Sequence, residues 1–445
     1  MKKICILIDN PDRDLDHNIL LASKLLKKKY EVYFVEYYKI YEVFLINPDC
    51  LILQHCRKNY LHLMKECKKK SIKIVILESE GGYGGVYRFA TRFDNYILKS
   101  KNFFDLYFCW GKKHFERLTK RVPYKYKHKI KLTGSPKNDL LNRMYKNYFL
   151  KDKEKFILFS TKFPHINPKF TSFQNHYKTI INTGIATKKT TDDIIKNLYF
   201  AQSQLIDLII KTNKILNKKI IVRVHPFENP DFYKNKFSNK KNIFVSTKGN
   251  IIPLLKNAEH LVQYDCQTAF DFYATGKKSI SYDFNLNRKL RSFLLMEIKK
   301  ISIRPKNEAD FFQKLKGNSI NNKNKNKRYY EDIFFKNDGR SSDRITDHIS
   351  KLDMKKNGNL FLKDILYTYN FYEKSKIIFR MLISNNNFLI LKRMITKKHH
   401  SDDKILDFNY IKKKISLLSK EQLEINYFKN KVFNREMASI KIKLK

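Results

Sequence analysis

Short runs of consecutive apolar residues alternate along most of the chain with stretches of three- and four-residue hydrophobic period. The runs predict strands at Lys3–Ile8, Glu31–Glu36, Cys50–Gln54, Lys73–Leu77, Leu106–Cys109 and Ile130–Leu132. Nearly continuous hydrophobicity, rather than alternation, suits strands whose sheet is covered on both faces. Between several of them the spacing predicts helices over His17–Lys29, Asn59–Lys69, Lys112–Arg121 and Lys137–Tyr145. A second series begins near Lys155, with strands expected at Phe156–Ser160, Ile220–Val224, Ile243–Ser246, His260–Gln263 and Ser279–Tyr282. A long helix from Asp192 to Leu216 lines up Ile194, Leu198, Ala201, Leu205, Leu208 and Ile215, and Thr191 or Asp192 can cap its start.

This alternation predicts an α/β protein with two Rossmann-like, doubly wound domains facing a cleft. The expected divisions are a first Rossmann-like domain over 1–150, a second over 151–352 and a basic helical extension over 353–445. Asn318–Lys327 reads as a solvated linker, and Leu360–Ile383 and Phe388–Met394 as amphipathic helices.

Composition refines the picture. A chain of 445 residues, 42% hydrophobic, can build two cores. Its six cysteines lie mostly in or beside apolar runs without a Cys-x-x-Cys pair, so they read as small buried hydrophobes in a reducing compartment. The run Ile4–Ile8, closed by Asp9, is too short for a signal-peptide core, and no run reaches the roughly 20 apolar residues of a membrane span. A cytoplasmic protein is expected, with peripheral attachment to the inner face of the membrane as the variant.

The net charge of +48 admits polyphosphate, nucleic-acid or anionic-membrane partners. The excess is mainly lysine dispersed along the chain among many Asn, Ile and Tyr residues. Genome-wide base bias with generic anion affinity explains that dispersion better than a dedicated nucleic-acid surface. An anionic membrane surface stays among the expected partners, and nucleic acid does not.

The sharpest chemical constellation is Arg223-Val224-His225-Pro226-Phe227-Glu228, which runs past the end of a predicted strand. Pro226 stops the strand, and an imidazole beside a guanidinium there can donate hydrogen bonds to a phosphate. Downstream, Gln267 and Thr268 fall at a predicted helix start, with Asp271 one turn later within reach of a ribose hydroxyl. The plain alternatives are a turn histidine, a helix cap and a first-turn acid. Glu78-Ser79-Glu80-Gly81-Gly82 follows another strand, where an acid suits a general base and glycines admit a ligand close to the backbone. A flexible surface loop is the competing reading. Asp12-Arg13-Asp14-Leu15-Asp16 reads as a helix start capped by Asp14 or Asp16 rather than a metal site, and the His399-His400 pair has no further ligand at metal-binding spacing. No metal is expected.

Taken in order, these pieces resemble the bacterial surface carbohydrate biosynthesis protein family. That family is GT-B-like, akin to capsule Kdo transferases, CDP-glycerol polymer transferases and nonhydrolysing UDP-GlcNAc 2-epimerases. The resemblance covers about residues 1–350: Arg13-Asp14-Leu15-Asp16, Glu78–Gly82, Trp110-Gly111, Thr133-Gly134-Ser135-Pro136 with Asp139, Thr161 with Phe163 and Asn167, the His225-Pro226 motif, Thr268 with Asp271, and Asp338-Gly339 with Arg344-Ile345. Asp271 stands where the family has Glu, one methylene shorter, and Lys137 stands where Arg is usual, which loses bidentate geometry.

The resemblance implies a glycosyltransferase that moves a sugar from a CMP-, UDP- or GDP-linked donor to a glycan or lipid-linked acceptor, with no bound cofactor. It implies Arg223, His225, Glu228, Gln267, Thr268 and Asp271 on the donor side. Glu80 is the expected base, with Glu78 and Asp16 as reserves, and Arg13, Gly81, Gly82, Thr161 and Ser135 are expected elsewhere in the cleft. An epimerase, a polyol-phosphate transferase and a non-catalytic nucleic-acid- or membrane-binding protein are the rival readings.

Overall fold

The computed structural model describes residues 1–79, 90–145, 147–149, 154–182, 187–286, 296–317, 327–355, 405–419, 421–430 and 435–444. The chain divides into two units. The first joins Met1–Tyr148 to Tyr329–Lys445, and the second is Phe149–Arg328. The boundary expected near 150 is close to the observed one, whereas that at 352 is displaced. Residues from Tyr329 onward return to the first unit instead of closing the second.

Six parallel strands form the core of the first unit: β1 (Lys3–Ile8), β2 (Glu31–Glu36), β3 (Cys50–Leu53), β4 (Lys73–Ile76), β5 (Leu106–Cys109) and β6 (Ile130–Leu132). Each matches an expected strand to within one residue. β1 and β3 are buried almost throughout, as continuous apolar runs require when helices cover both faces.

The first helix starts at Pro11, six residues ahead of the expected His17. Proline's fixed φ suits the first helical position, and Asp12 and Asp14 lie in the first turn, where the helix dipole favours a negative charge. Asn10 is the capping residue, so neither Asp14 nor Asp16 occupies the cap as expected. Asp14 instead accepts the Asn10 amide through Oδ2 at 3.0 Å from inside the helix.

The second unit contains β7 (Phe156–Ser160), β8 (Ile220–Arg223), β9 (Ile243–Ser246), β10 (Ala258–Gln263), β11 (Ser279–Ser281) and β12 (Ser302–Ile303), all parallel. Their spatial order is β12-β11-β10-β7-β8-β9. This is the order of dinucleotide-binding Rossmann sheets, read from the far edge. The long helix spans Lys188–Leu216 and is capped by Thr187, whose side chain accepts the Thr190 amide at 3.2 Å. Thr191, expected as a cap, is buried inside that helix.

Among the described residues of the expected helical extension over 353–445, helix and strand both occur. Phe408–Ser416 is a helix, but β13 (Leu423–Asn430) and β14 (Arg435–Leu444) form an antiparallel pair. β14 then pairs antiparallel with β2, giving the order β13-β14-β2-β1-β3-β4-β5-β6. Ile440 and Ile442 enter the same apolar cluster as Ile4, Ile6 and Ile8. Alternation in Ile440, Ile442 and Leu444 carried this strand signal beneath the lysines. The helices expected at Leu360–Ile383 and Phe388–Met394, and most of the linker at Asn318–Lys327, lie outside the described residues. No described helix is long and apolar enough to cross a membrane, and all six cysteines are free and buried.

Because Ile442 is fully buried and bridges β14 to β2, Ile442→Ala should lower unfolding free energy by about 2–5 kcal/mol, read from urea melts of the full chain.

Candidate functional site

In the second unit the strand order reverses between β7 and β10. Connections there leave to opposite sides and open a crevice at the carboxyl ends of the strands. Ser160 ends β7, and its Oγ lies 3.0 Å from Thr268 Oγ1, joining the two sides of the reversal. The Lys162 ammonium donates to the Asp265 carbonyl and, at 3.1 Å, to Asp265 Oδ2. Asp265 has φ of 46°, a left-handed backbone that aspartate tolerates better than most residues.

His225 leaves the neighbouring strand β8. Its backbone amide donates to Thr161 Oγ1 at 2.9 Å, and its ring Nδ1 accepts the Phe227 amide at 3.2 Å. An Nδ1 that accepts fixes the proton on Nε2, so the ring presents an N–H donor. Burial, then the nearby Lys162 and His165, lower its pKa to about 4. The imidazole is therefore neutral near pH 7 and acts as a dipolar donor, not a cation.

Glu228 is not turned toward a ligand as expected. It is 1% exposed and accepts from Thr161 Oγ1 at 2.8 Å, the Phe163 amide at 2.7 Å and Tyr233 Oη at 2.6 Å. Thr161, expected in the cleft, is likewise buried and links Glu228 to the His225 amide. Arg223 is also redirected. Its guanidinium donates to Ser246 Oγ at 3.0 Å and to the carbonyls of Lys248 and Gly249 at 2.6 and 2.5 Å, fixing the loop after β9. Gln267 precedes the helix Thr268–Ala274 without capping it through its side chain, and Asp271 is buried within that helix.

Sequence reasoning did not single out Ser160, Lys162, His165 or His176. His165 Nδ1 lies 2.9 Å from His176 Nε2 with the rings stacked, and burial followed by the neighbouring His176 and Lys162 lowers the His165 pKa to about 4. The available signal was position. Lys162 and His165 follow the strand that the sheet order makes central.

In the first unit the reversal lies between β1 and β3. Arg13 sits there, its Nη2 2.9 Å from Asp9 Oδ2 and its Nε 2.6 Å from Asp14 Oδ1. Asp16, expected as a reserve base, accepts both Tyr148 Oη and Tyr410 Oη at 2.8 Å through Oδ1. Glu78 is buried and accepts Tyr107 Oη at 2.9 Å. Ser135 is a helix cap, accepting the Lys137 amide at 3.2 Å. Glu80, Gly81 and Gly82 lie outside the described residues. Among the described residues, no group of three His, Cys, Asp or Glu gathers as a metal-ion site.

No family model and no curated protein sequence matches the chain. It is similar to the solved UDP-GlcNAc 2-epimerase of Methanocaldococcus jannaschii at 15% identity and a TM-score of 0.46, over 79% of this chain and 99% of that one. S. aureus MnaA, solved with UDP, is 12% identical with a TM-score of 0.46, over 81% and 100%. The wall teichoic acid polymerase TagF is 14% identical with a TM-score of 0.49, over 79% and 89%.

Burial pushes the Glu228 carboxyl up to about 7, against hydrogen bonds from Tyr233, Phe163 and Thr161 that hold it down. A carboxyl raised on folding stabilises fully below its unfolded pKa, about 4.3, and that stabilisation is lost as pH rises through 7. Unfolding free energy should therefore fall between those pH values by up to about 4 kcal/mol. Glu228→Gln should flatten the profile, as measured by denaturant melts across pH.

Proposed function

We propose that the chain is a glycosyltransferase that moves a sugar from a nucleotide-activated donor to an acceptor in surface-polysaccharide biosynthesis. The observation that carries this reading is the neutral His225 ring, fixed in one tautomer at the Rossmann crevice of the second unit beside Lys162 and the Ser160–Thr268 pair. A phosphate there can accept from His225 Nε2–H and gain from the Lys162 charge. Arg223, Thr161 and Glu228 support it indirectly by fixing the loops that present the imidazole. The polysaccharide setting rests on the ordered motifs from Arg13 to Ile345.

In the proposed reaction an acceptor hydroxyl oxygen bonds to the anomeric carbon as the bond from that carbon to the donor phosphate breaks. The electron pair leaves on the nucleotide, and His225 and Lys162 stabilise the charge that develops there. The hydroxyl proton passes to a carboxylate, for which Glu80 is the proposed residue because Glu78 and Asp16 already hold tyrosine hydroxyls.

Thermal melts with CMP, UDP, GDP and CDP test the donor site. One nucleotide at a hundredfold excess over its dissociation constant should stabilise the chain by about 2.7 kcal/mol, and His225→Ala should abolish the effect. CMP would indicate an ulosonic-acid donor, UDP or GDP a hexose donor, and CDP a polyol-phosphate transferase. No shift with any nucleotide, together with salt-sensitive binding to RNA or anionic lipid, would overturn the reading.

With the responding donor supplied, Glu80→Gln should keep the nucleotide shift and slow transfer about 100-fold or more. Full turnover in that variant would remove Glu80 from the role.

A further inference from the structure

The sheet of the first unit ends on β13, and no described residue pairs with the outer edge of that strand. An edge strand presents a row of backbone N–H and C=O groups to anything that can add to it, and proteins usually blunt such edges with short length, proline or lysine. β13 is not blunted in these ways. It runs for eight residues against a usual five or six, contains no proline, and carries its single lysine next to its end, at Lys429. The irregularity in its pairing lies in β14, which takes four steps from Ile440 to Glu436 while β13 takes two from Tyr427 to Lys429.

Beside this edge lies a cavity of about 290 Å³, lined by Lys412 and Ser416 of the helix Phe408–Ser416 and, on the strand side, by Glu421, Leu423 and Ile425 among others. Leu423 and Ile425 pack against the apolar cluster of the first unit yet stay partly exposed. Tyr427 stacks on Phe408 at 4.7 Å and is still 38% exposed. The edge thus carries apolar side chains as well as open backbone groups.

A copy of the same strand can complete it. Side chains alternate between the two faces, and a twofold axis perpendicular to the sheet keeps each face on its own side, so one residue must oppose its own copy. Centred on Glu424, the pairing sets two carboxylates directly against each other, which is unfavourable. Centred on Asn426 or Tyr427, it sets Lys429 against Leu423 or Ile425. Centred on Ile425, it opposes Ile425 to itself, Leu423 to Tyr427 and Glu421 to Lys429. Apolar side chains then meet apolar ones, and Lys429 of one copy lies beside the cavity-lining Glu421 of the other. Glu421 and Lys429 are both exposed, and the symmetry forms their ion pair twice.

We propose that a second copy of this chain pairs antiparallel with β13 in the register centred on Ile425, joining the two eight-stranded sheets and making the protein a twofold dimer. The interface belongs to the first unit and does not depend on the donor chemistry of the second.

Sedimentation equilibrium of the full chain, from micromolar to tens of micromolar concentration, tests the interface. The wild-type protein should reach twice the 53.4 kDa chain mass. Glu421→Lys and Lys429→Glu each place like charges opposite one another at both symmetry-related positions, so each should raise the dissociation constant at least tenfold. Combining the two restores opposite charges, and the double variant should return to within about threefold of wild type. Both positions are exposed, so far-UV circular dichroism should match across the variants. A monomer throughout the range, a dimer that neither reversal weakens, or a double variant no tighter than the single ones would overturn the proposal.

Discussion

The carboxylate of Asp139 determines how the first unit closes. It accepts the amides of Ser341 and Ser342 at 2.9 and 2.7 Å and the Ser342 hydroxyl at 2.9 Å, reaching across some two hundred residues of sequence. These donors begin the helix Ser341–Ser350, where a buried negative charge meets amides that no helical carbonyl satisfies. Around the same joint, Arg344 Nε donates to the Thr133 carbonyl at 2.7 Å and pairs with Asp338. A Cβ on Gly111 would fall 2.3 Å from the Asp332 carbonyl oxygen, and one on Gly134 2.5 Å from Ser341 Oγ, so only glycine admits the approach. The Trp-Gly, Thr-Gly-x-Pro and Asp-Gly motifs thus serve one structural purpose, which is to bring the returning chain home.

The second unit solves a similar problem with Glu228. One buried carboxylate holds the segment after β7 through Thr161 and Phe163 and the helix Pro230–Phe237 through Tyr233. A short bridge between Pro168 and Glu228, with Asn167 and Asn229 exchanging hydrogen bonds, completes the staple. His225 inherits its position from this arrangement, since its amide rests on the same Thr161 hydroxyl that Glu228 holds. The buried acid orients, and the partly buried imidazole is presented.

The sheets were legible because their strands are continuous apolar runs; β1, β2, β5, β6, β7 and β9 fall within the bounds that hydrophobicity alone suggests. The hairpin β13–β14 was not, because lysine and glutamate interrupt it and its anchor in the sheet is β2, some 400 residues away. Site residues divided along the same line. The place of His225 at a strand end could be read locally, but whether an Arg, Thr or Glu beside it faces a ligand or braces a loop depends on where another strand arrives. Arg223 shows this, because its three partners lie beyond β8, between positions 246 and 249.

A split first unit also sets an order of assembly. The second unit is one continuous stretch, so during N-to-C synthesis all of its strands are available while the first unit still lacks its last pieces. β2 keeps an unpaired edge until β14 has been made, and Ile4, Ile6 and Ile8 wait for Ile440 and Ile442. Until then the oldest part of the chain is the part with an open edge, which is the kind of surface that invites pairing with another chain. The middle of the chain can therefore complete its fold before the two ends do, and the earliest strands depend longest on being kept apart from others.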